Sequence, residues 1–207
     1  MWYRSYLKRL VDLSITVPAL FLAAPVLLLT GCWILATLGR PILFRQRRPG
    51  INGSPFWIHK FRTMSDQRDR AGNLLPDGAR LTKFGKWLRS SSLDELPELW
   101  NVLIGEMSLV GPRPLLEEYM SRYSPEQARR HVLRPGLTGW AQINGRNAVD
   151  WETRLRMDVW YVDNLGFWLD VSILGKTIIK VLSRKDITAD GHETCPEFVG
   201  EDTKKAA

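Results

Sequence analysis

The chain has 207 residues, of which 44% are hydrophobic and 25% charged, so it is long enough to bury a sizeable core. This composition excludes a disordered chain, and a total of two cysteines excludes a disulfide-stapled scaffold. The net charge of +7 is concentrated at one end, because residues 1–50 carry seven basic side chains and one acidic side chain. The rest of the chain is nearly neutral, which disfavours a nucleic-acid partner.

Residues 13–39 form a run of 27 residues without a charged side chain. As a helix rising about 1.5 Å per residue, the run would reach about 40 Å, which exceeds the roughly 30 Å hydrocarbon core of a bilayer. Its length disfavours a secretory signal peptide, whereas a single-pass anchor stays open as an alternative. Pro25 lies near the middle of the run, and basic residues flank it on both sides. We therefore predict a re-entrant helix, broken at Pro25, with both ends on the cytoplasmic side.

The segment after this run predicts a small β-hairpin followed by helices. Two strand-like pieces, 42–46 and 55–64, flank a proline–glycine turn. Residues 65–80 are polar and predict a loop. Residues 81–89 place apolar and basic side chains on opposite faces, which is typical of a helix in a membrane interface, although a core-facing surface helix fits the same pattern.

A second helix is predicted from Ser92 to Ile104, where Ser92 and Glu95 fit a capping box. Its apolar face includes Leu99 and Trp100, and its polar face carries Asp94, Glu98 and Asn101. Residues 134–147 are turn-rich, residues 151–164 and 170–183 predict amphipathic helices, and the tail after 186 predicts an extended arm. These elements predict an α+β, mainly helical protein with a membrane helix (1–40), a main domain (41–186) and a C-terminal arm (187–207).

Asp94 and Glu95 form an adjacent carboxylate pair at the predicted start of this second helix. Acidic residues there ordinarily complement the helix dipole, and that interpretation stays open. The same helix start offers free backbone N–H groups that suit a phosphate. A carboxylate at such a position stays ionised, so it is able to act as a nucleophile or as a ligand of Mg²⁺.

Two groups of basic residues are candidates for binding an anion. Arg113 stands between Pro112 and Pro114, whose fixed backbone reduces the entropy lost in aiming the guanidinium, although an ordinary turn fits the same residues. Lys60 and Arg62, two apart on a predicted strand, point to the same side and suit a diphosphate, or else form a solvated strand face. The three histidines lack the spacing of metal ligands, and no GxSxG, P-loop or GxGxxG motif occurs.

Residues 90–114, SSSLDELPELWNVLIGEMSLVGPRP, resemble the bacterial sugar transferase family, the monotopic phosphoglycosyl transferases, in its minimal single-domain form. The resemblance covers nearly the whole chain, and together its motifs are highly specific. The other matching segments are Lys8-Arg9 with Asp12, Arg45-Gln46 through Pro49-Gly50, residues 60–64 (KFRTM), residues 134–142 (RPGLTGWAQ) and residues 144–147 (NGRN).

The resemblance implies an enzyme on the cytoplasmic face of the bacterial inner membrane. Such an enzyme moves a phosphosugar from a UDP-sugar to a polyprenol phosphate (undecaprenyl phosphate) and releases UMP. It implies a ping-pong mechanism in which Asp94 attacks the β-phosphorus and Glu95 assists, while Mg²⁺ and Arg113 neutralise phosphate oxygens. In this scheme Asp94 also binds Mg²⁺, and the candidates for binding the nucleotide diphosphate are Lys60, Arg62, Arg146 and Arg113 with its flanking Pro112 and Pro114.

Members of the family break their re-entrant helix at a Ser-Pro pair, whereas this chain has Ala24 before Pro25. The proline is kept and the hydroxyl is lost, so we still expect a re-entrant helix. The expected partners are membrane lipids and the two substrates, and a homodimer is allowed. Two other functions stay open: a membrane-anchored basic module that binds anionic lipid or nucleic acid, and a membrane phosphatase with an aspartyl intermediate.

Overall fold

A long apolar helix precedes a β-hairpin and a series of shorter helices, and the computed structural model describes residues 3–145, 149–183 and 198–200. The strands are β1 (Leu43–Pro49), β2 (Pro55–Phe61), β3 (Ser108–Val110) and β4 (Gly136–Thr138). The helices are α1 (Lys8–Leu38), α2 (Asp77–Arg80), α3 (Lys83–Ser91), α4 (Glu98–Ile104), α5 (Pro125–Ala128), α6 (Trp140–Asn144), α7 (Trp151–Asp163) and α8 (Phe167–Ser183). Tyr3–Leu7 forms a π-helical turn, and 3₁₀ turns occupy Ile51–Gly53, Leu93–Glu95, Glu117–Arg122 and Arg129–Val132. The prediction of a mainly helical α+β protein is confirmed.

The predicted hairpin is confirmed, because β1 and β2 pair antiparallel with Leu43 opposite Phe61 and Arg48 opposite Phe56. The second strand ends at Phe61, three residues earlier than predicted. A second, parallel pair of strands was not predicted, and it places Ser108 of β3 opposite Gly136 of β4. The two backbones approach so closely here that a Cβ at position 136 would lie 2.0 Å from a backbone nitrogen, so glycine is required.

The prediction of a single helix from Ser92 to Ile104 is wrong. Ser92 instead ends α3 in the left-handed conformation with φ of 57°, and its side chain makes no capping hydrogen bond, so the predicted capping box is absent. A 3₁₀ turn follows, and Pro97, which has no N–H to donate, immediately precedes α4. A tight turn and the shorter helix α4 therefore replace the one predicted helix, and Asp94 and Glu95 lie in that turn.

The other helical predictions agree more closely with the structure. The predicted helix at 81–89 is α3. The Thr82 side chain caps its start by accepting a hydrogen bond from the Gly85 N–H. It buries Leu88 completely and leaves Trp87 45% exposed, while its location in a membrane interface stays a prediction. The helices α7 and α8 are confirmed, although α8 begins at Phe167, and α2 forms inside the predicted loop. Apart from residues 198–200, the predicted arm lies outside the described residues.

Within the described part of the chain, α1 is the one helix long and apolar enough to cross a membrane by length and composition. It runs as a continuous helix through Pro18 and Pro25, so the predicted break at Pro25 is not found. A proline removes one backbone hydrogen bond and crowds the preceding turn, which bends a helix more readily than it ends one when the neighbouring turns are intact.

Both ends of α1 contact the rest of the protein, each through different elements. Near its start, Arg9 donates hydrogen bonds to the carbonyls of Val102 and Leu103 at the end of α4, at 2.6 and 2.8 Å. The Asp12 carboxylate accepts a hydrogen bond from the Leu109 N–H of β3 at 3.1 Å. Near its end, Ile34 is completely buried in a small core that also contains Phe61 of β2 and Leu88 of α3. The helix is therefore fixed to the rest of the protein at two places.

A larger core lies under the second sheet, and a buried polar network joins it to the start of α1. Lys8 Nζ lies 2.6 Å from Asp170 Oδ2, and the Tyr161 hydroxyl donates to Asp170 Oδ1 at 2.6 Å. The same hydroxyl lies 3.2 Å from the carbonyl of Val110, the last residue of β3. The core residues are Phe56, Ile58, Leu99, Val102, Met107, Leu109, Val110, Leu133, Ile143, Tyr161, Val162 and Ile173.

Candidate active site

Asp94 and Glu95 lie in the turn between α3 and α4, where the chain reverses before Pro97. Asp94 is 9% exposed, and within the described part of the chain its carboxylate accepts no hydrogen bond. The end of β2 contributes Lys60, and the segment that leaves β3 contributes Arg113. Three separate parts of the chain therefore bring carboxylates and cations together, as the sequence predicted for these four residues.

Glu95 links the two cations of this cluster. Its Oε1 atom accepts hydrogen bonds from Lys60 Nζ at 2.6 Å and from Arg113 Nη2 at 2.5 Å. Lys60 Nζ also lies 3.0 Å from Oε1 of Glu98, whose side chain is 1% exposed, but the pair lacks the geometry of a hydrogen bond. One lysine is therefore shared by a partly buried carboxylate, Glu95, and a fully buried one, Glu98.

The surroundings push the pKa values of the carboxyl groups apart. Burial, together with the negative charge of Glu95, raises the pKa of Asp94 to about 6 against the opposing effect of Lys60. Burial also acts to raise the pKa of Glu95, but Arg113 and Lys60 outweigh it and hold that pKa well below its usual range. Burial raises the pKa of Glu98 to about 7, with Lys60 opposing the rise. Such a separation assigns different protonation states to neighbouring groups, as acid–base sites require.

A buried ion pair behind the site fixes the backbone of Arg113. Arg130 Nη2 donates a hydrogen bond to the Arg113 carbonyl at 2.6 Å and another to Asp158 Oδ2 at 2.7 Å. The side chains of Arg130 and Asp158 are 1% and 3% exposed. Sequence reasoning missed both residues, because an arginine and an aspartate 28 positions apart give no local signal of pairing.

Asn101 fixes β2 against α4, and with it Lys60 against Glu98. Its Oδ1 atom accepts from the His59 N–H at 3.2 Å, and its Nδ2 atom donates to the Trp57 carbonyl at 2.7 Å. The amide is fully buried. The polar face predicted for the second helix indicated Glu98 and Asn101 together, although it gave no indication that this face is buried.

The structure does not bring Arg62 to the cluster. Its guanidinium instead binds the carbonyls of Leu38, Gly39 and Arg40 at the end of α1, together with the Asp66 carboxylate. The pairing predicted for Lys60 and Arg62 is therefore corrected, because β2 ends at Phe61 and the alternation of a strand no longer applies one residue later. Arg146, the other candidate, lies outside the described residues, while Pro112 and Pro114 flank Arg113 along one side of a narrow cleft.

The described residues contain no group of three His, Cys, Asp or Glu side chains that would hold a metal ion by themselves. Mg²⁺, however, commonly binds one or two carboxylates and completes its shell with water and substrate phosphates. The Asp94 carboxylate, which is buried and accepts no hydrogen bond within the described residues, fits a site of that kind.

Comparison with known proteins places the chain in a family. The model of the bacterial sugar transferase family matches residues 3–184. An uncharacterized sugar transferase, EpsL of Bacillus subtilis, is 52% identical over 194 residues, which cover 94% of this chain and 96% of that protein. The undecaprenyl-phosphate galactose phosphotransferase of Salmonella typhimurium is 38% identical over 87% of this chain. The UDP-glucose:undecaprenyl-phosphate glucose-1-phosphate transferase of Klebsiella pneumoniae is 39% identical over 84% of it.

The match to the last two proteins spans only 41% and 39% of their own lengths, whereas the match to EpsL is nearly end to end. The family match covers almost the entire described chain, including the turn of Asp94 and Glu95 and the segment of Arg113. The chain therefore belongs to the bacterial sugar transferase family.

Proposed function

We propose that the chain transfers a sugar 1-phosphate from a UDP-sugar to undecaprenyl phosphate and releases UMP. It is an enzyme of the sugar transferase family, and its relatives from Salmonella and Klebsiella are named for transfer to undecaprenyl phosphate. The observation that carries the proposal is the buried Asp94–Glu95 pair beside Lys60 and Arg113. A carboxylate that attacks a diphosphate meets like-charge repulsion, so cations must lie close to it.

Asp94 is the nucleophile in this proposal. One carboxylate oxygen forms a bond to the β-phosphorus of the UDP-sugar, the bond from that phosphorus to the bridging oxygen breaks, and UMP leaves with the electron pair. The phosphosugar stays on Asp94 until a phosphate oxygen of undecaprenyl phosphate attacks the same phosphorus and frees the carboxylate. The burial of Asp94 and its lack of hydrogen bonds within the described residues support this role, because little has to be displaced from the attacking oxygen.

Lys60 and Arg113 supply the positive charge that the diphosphate requires. In the structure both bind the same oxygen of Glu95, so a diphosphate that binds either cation competes with that carboxylate. Glu95 thus holds the two cations in place before substrate arrives. Once released, it is an ionised carboxylate next in sequence to the nucleophile, where it is placed to assist through Mg²⁺ or through proton handling.

Mg²⁺ is part of the proposal, held by Asp94 and by the phosphates of the substrate. When bound there, it neutralises phosphate oxygens and makes the phosphorus a better electrophile. The chain's own residues bind and orient the donor. Lys60 and Arg113 also oppose the rise in the pKa of Asp94, which burial brings to about 6, so the carboxylate is largely ionised at neutral pH.

We further propose that both ends of α1 lie on the cytoplasmic side of the inner membrane. Residues near its start bind α4 and β3, and Ile34 near its end packs on β2 and α3, so both ends reach one body. A helix that crossed a bilayer would hold its ends about 30 Å apart across hydrocarbon, where a body on one side reaches only one of them. The basic residues before and after the run favour the same topology.

The nucleophile is tested by intact-protein mass spectrometry after incubation with a panel of UDP-sugars and Mg²⁺ in the absence of lipid. We expect the mass to rise by one phosphosugar with the correct donor, and we expect no adduct on Asp94→Asn. Asp77→Asn, which changes an exposed aspartate of α2, serves as the matched control and should form the adduct normally. An adduct that persists on Asp94→Asn moves the nucleophile to another residue.

The same experiment separates the two competing functions. A module that only binds lipid would release no UMP and form no adduct. A phosphatase would lose the adduct to water at the same rate with or without undecaprenyl phosphate, whereas the proposed transferase loses it rapidly only when the lipid is added.

The topology is tested by labelling single cysteines from the periplasmic side with an impermeant maleimide, in a background where Cys32 and Cys195 are serine. Tyr6→Cys, just before α1, and Ser54→Cys, in the turn of the hairpin that follows α1, probe the chain on either side of the helix at exposed positions. We expect neither cysteine to react until the membrane is permeabilised. Labelling of position 6 alone from outside would make α1 a spanning anchor.

A further inference from the structure

Arg48 lies on the same face of the hairpin as Lys60, but the chemistry proposed above does not use it. In the antiparallel register Arg48 is opposite Phe56, and Phe56, Ile58 and Lys60 alternate along the same face of β2. The opposite face of β1 carries Arg45 and Arg47, which are exposed, whereas Arg48 is half-buried. The hairpin therefore directs one of its arginines towards the site and leaves the others in solvent.

The surroundings of Arg48 place it beside Arg113. Its neighbour Pro49 lines the same narrow cleft as Pro112, Arg113 and Pro114. Burial, together with repulsion from the Arg113 guanidinium, lowers the pKa of Arg48 to about 10, while Glu98 partly offsets both effects. Two guanidinium groups that repel each other favour a bound anion that screens one from the other.

The hydrogen bonds of Arg48 are incomplete. Its Nη2 atom donates to Gln46 Oε1 at 2.6 Å, which fixes the direction of the guanidinium. Within the described part of the chain, its Nε atom is buried and has no hydrogen-bond partner, and the same holds for Oε1 of Glu98. Buried donors without a partner are uncommon in folded proteins, and at a functional site they indicate a group that a ligand completes.

The carboxylates of the site do not supply that partner. Glu95 is already occupied by Lys60 and Arg113, and burial raises the pKa of Glu98 to about 7, so its negative charge is only partly present at neutral pH. A phosphate oxygen would accept the free Nε hydrogen and neutralise the pair of guanidinium groups at once.

We propose that Arg48 is a further substrate-binding residue, which together with Arg113 receives a phosphate group of the substrate. This inference rests on the proposed transferase function for the identity of the substrate, but the phosphate site itself is measurable without turnover. A ping-pong enzyme presents the same site to the phosphates of the nucleotide and of the lipid in turn, so either of them, or both, is held by Arg48.

The test compares Arg48→Gln with Arg47→Gln in the purified full-length protein. Both changes remove one positive charge from β1, but Arg47 is about half exposed and its nearest acid, Glu117, is 3.6 Å away, so little depends on it. Binding of UMP and of inorganic phosphate is measured by calorimetry, and the KM values for the UDP-sugar and for undecaprenyl phosphate are measured separately. We expect Arg48→Gln to weaken UMP binding by about tenfold or more, with a larger effect on KM than on kcat, and Arg47→Gln to change each value by less than about twofold.

The pattern of effects assigns the phosphate. A raised KM for the UDP-sugar alone indicates the nucleotide, a raised KM for the lipid alone indicates the polyprenol phosphate, and a rise in both indicates a shared position. Unchanged UMP binding and unchanged KM values in Arg48→Gln overturn the inference, even when the wild type turns over normally. The opposite result is that Arg48→Gln loses UMP binding while the wild type transfers no phosphosugar. That result would support the phosphate site and refute the transferase function.

A conservative variant guards against a folding defect. Arg48→Lys keeps the charge but loses the Nε donor and the planar fork, so we expect an intermediate weakening of UMP binding with an unchanged melting temperature. Binding as tight as that of the wild type in Arg48→Lys would refute the role given to the Nε atom.

Discussion

Two ion pairs connect the turn Arg129–Val132 to α7, and they differ chiefly in burial. Arg130 and Asp158 have side chains that are 1% and 3% exposed, whereas Arg129 and Asp163 are 41% and 46% exposed. The two acids lie on the same helix, and the two arginines are adjacent in sequence. Replacing each aspartate by asparagine therefore removes the same charge from two similar positions, one buried and one exposed to solvent.

The expected cost is very different at the two positions. Asp158→Asn leaves the Arg130 guanidinium buried without its counter-charge, and breaking a buried ion pair on one side costs about 3–5 kcal/mol. Asp163→Asn breaks a pair that water solvates on both sides, which costs less than about 1 kcal/mol. For a chain of this size, about 2–4 °C of melting temperature corresponds to each kcal/mol, so we expect a fall of about 6–20 °C for Asp158→Asn and less than about 4 °C for Asp163→Asn.

The assay is thermal unfolding followed by circular dichroism, with all variants in the same detergent or nanodisc. Because Arg130 also holds the Arg113 carbonyl, Asp158→Asn should lower the rate of adduct formation at a temperature where it is still folded, and Asp163→Asn should not. Equal melting temperatures for the two variants would refute the argument from burial. Normal adduct formation by folded Asp158→Asn would show that Arg113 does not depend on the buried pair.

The remaining predictions concern the pH dependence of the site and one tightly packed glycine. Adduct formation by the wild type should rise with pH through about 6, because Asp94 must lose its proton and burial raises its pKa to that value; a midpoint near pH 4 would contradict this. Lys60→Met removes a cation that lowers the pKa of Asp94, so it should move the midpoint to higher pH. Glu95→Gln removes an anion that raises this pKa, so it should move the midpoint to lower pH. Both shifts are measured as the initial rate of adduct formation against pH. Gly85→Ala would place a Cβ 2.0 Å from a backbone oxygen and should lower the free energy of unfolding by about 1–3 kcal/mol, while Gly175→Ala, with open space around it in α8, should raise it by up to about 1 kcal/mol in the same denaturant titration.

The parts of the fold that the sequence predicted well depend on local patterns. The long apolar run, the proline–glycine turn of the hairpin and the amphipathic period of α7 each act within a few residues, so their signals survive in the sequence. The parallel pairing of β3 with β4 has no such signal, because each strand has only three residues and their partners are 28 positions apart. A contact of that kind is decided by tertiary packing.

The orientation of the second predicted helix shows why a correct pattern led to an incomplete interpretation. Its polar residues Glu98 and Asn101 are buried, at 1% and 0% exposure, while Trp100 on the face predicted as apolar is 52% exposed. The usual rule assumes that polar side chains face water and apolar ones face the core. Here the polar face lies against Lys60 and the hairpin, so it belongs to the site. A membrane-associated protein also has a second way to remove an exposed tryptophan from water, which is to place it in the bilayer interface.

Lys60 and Arg62 show that the alternation of side chains along a strand stops applying one residue after the strand ends. Both are basic, both lie near the end of β2, and both are among the more buried cations of the chain. The strand stops between them, at Phe61, so one side chain enters the carboxylate cluster and the other turns back to the end of α1. The sequence indicated both residues as candidates for binding a diphosphate, with a solvated strand face as the alternative, but only the exact end of the strand assigns their partners.

Arg62 and Lys60 connect α1 to the proposed site. Arg62 binds the carbonyls at the end of α1, while Lys60, two residues earlier, binds the carboxylate next to Asp94. The segment of β2 between them is therefore a short, rigid connection from the apolar helix to the proposed nucleophile. At the other end of α1, Asp12 holds β3, which leads directly to Arg113. Both cations that flank Glu95 are thus tied to the same helix. In the proposed function, the position of that helix in the lipid would set the depth at which the site meets a phosphate carried by a lipid.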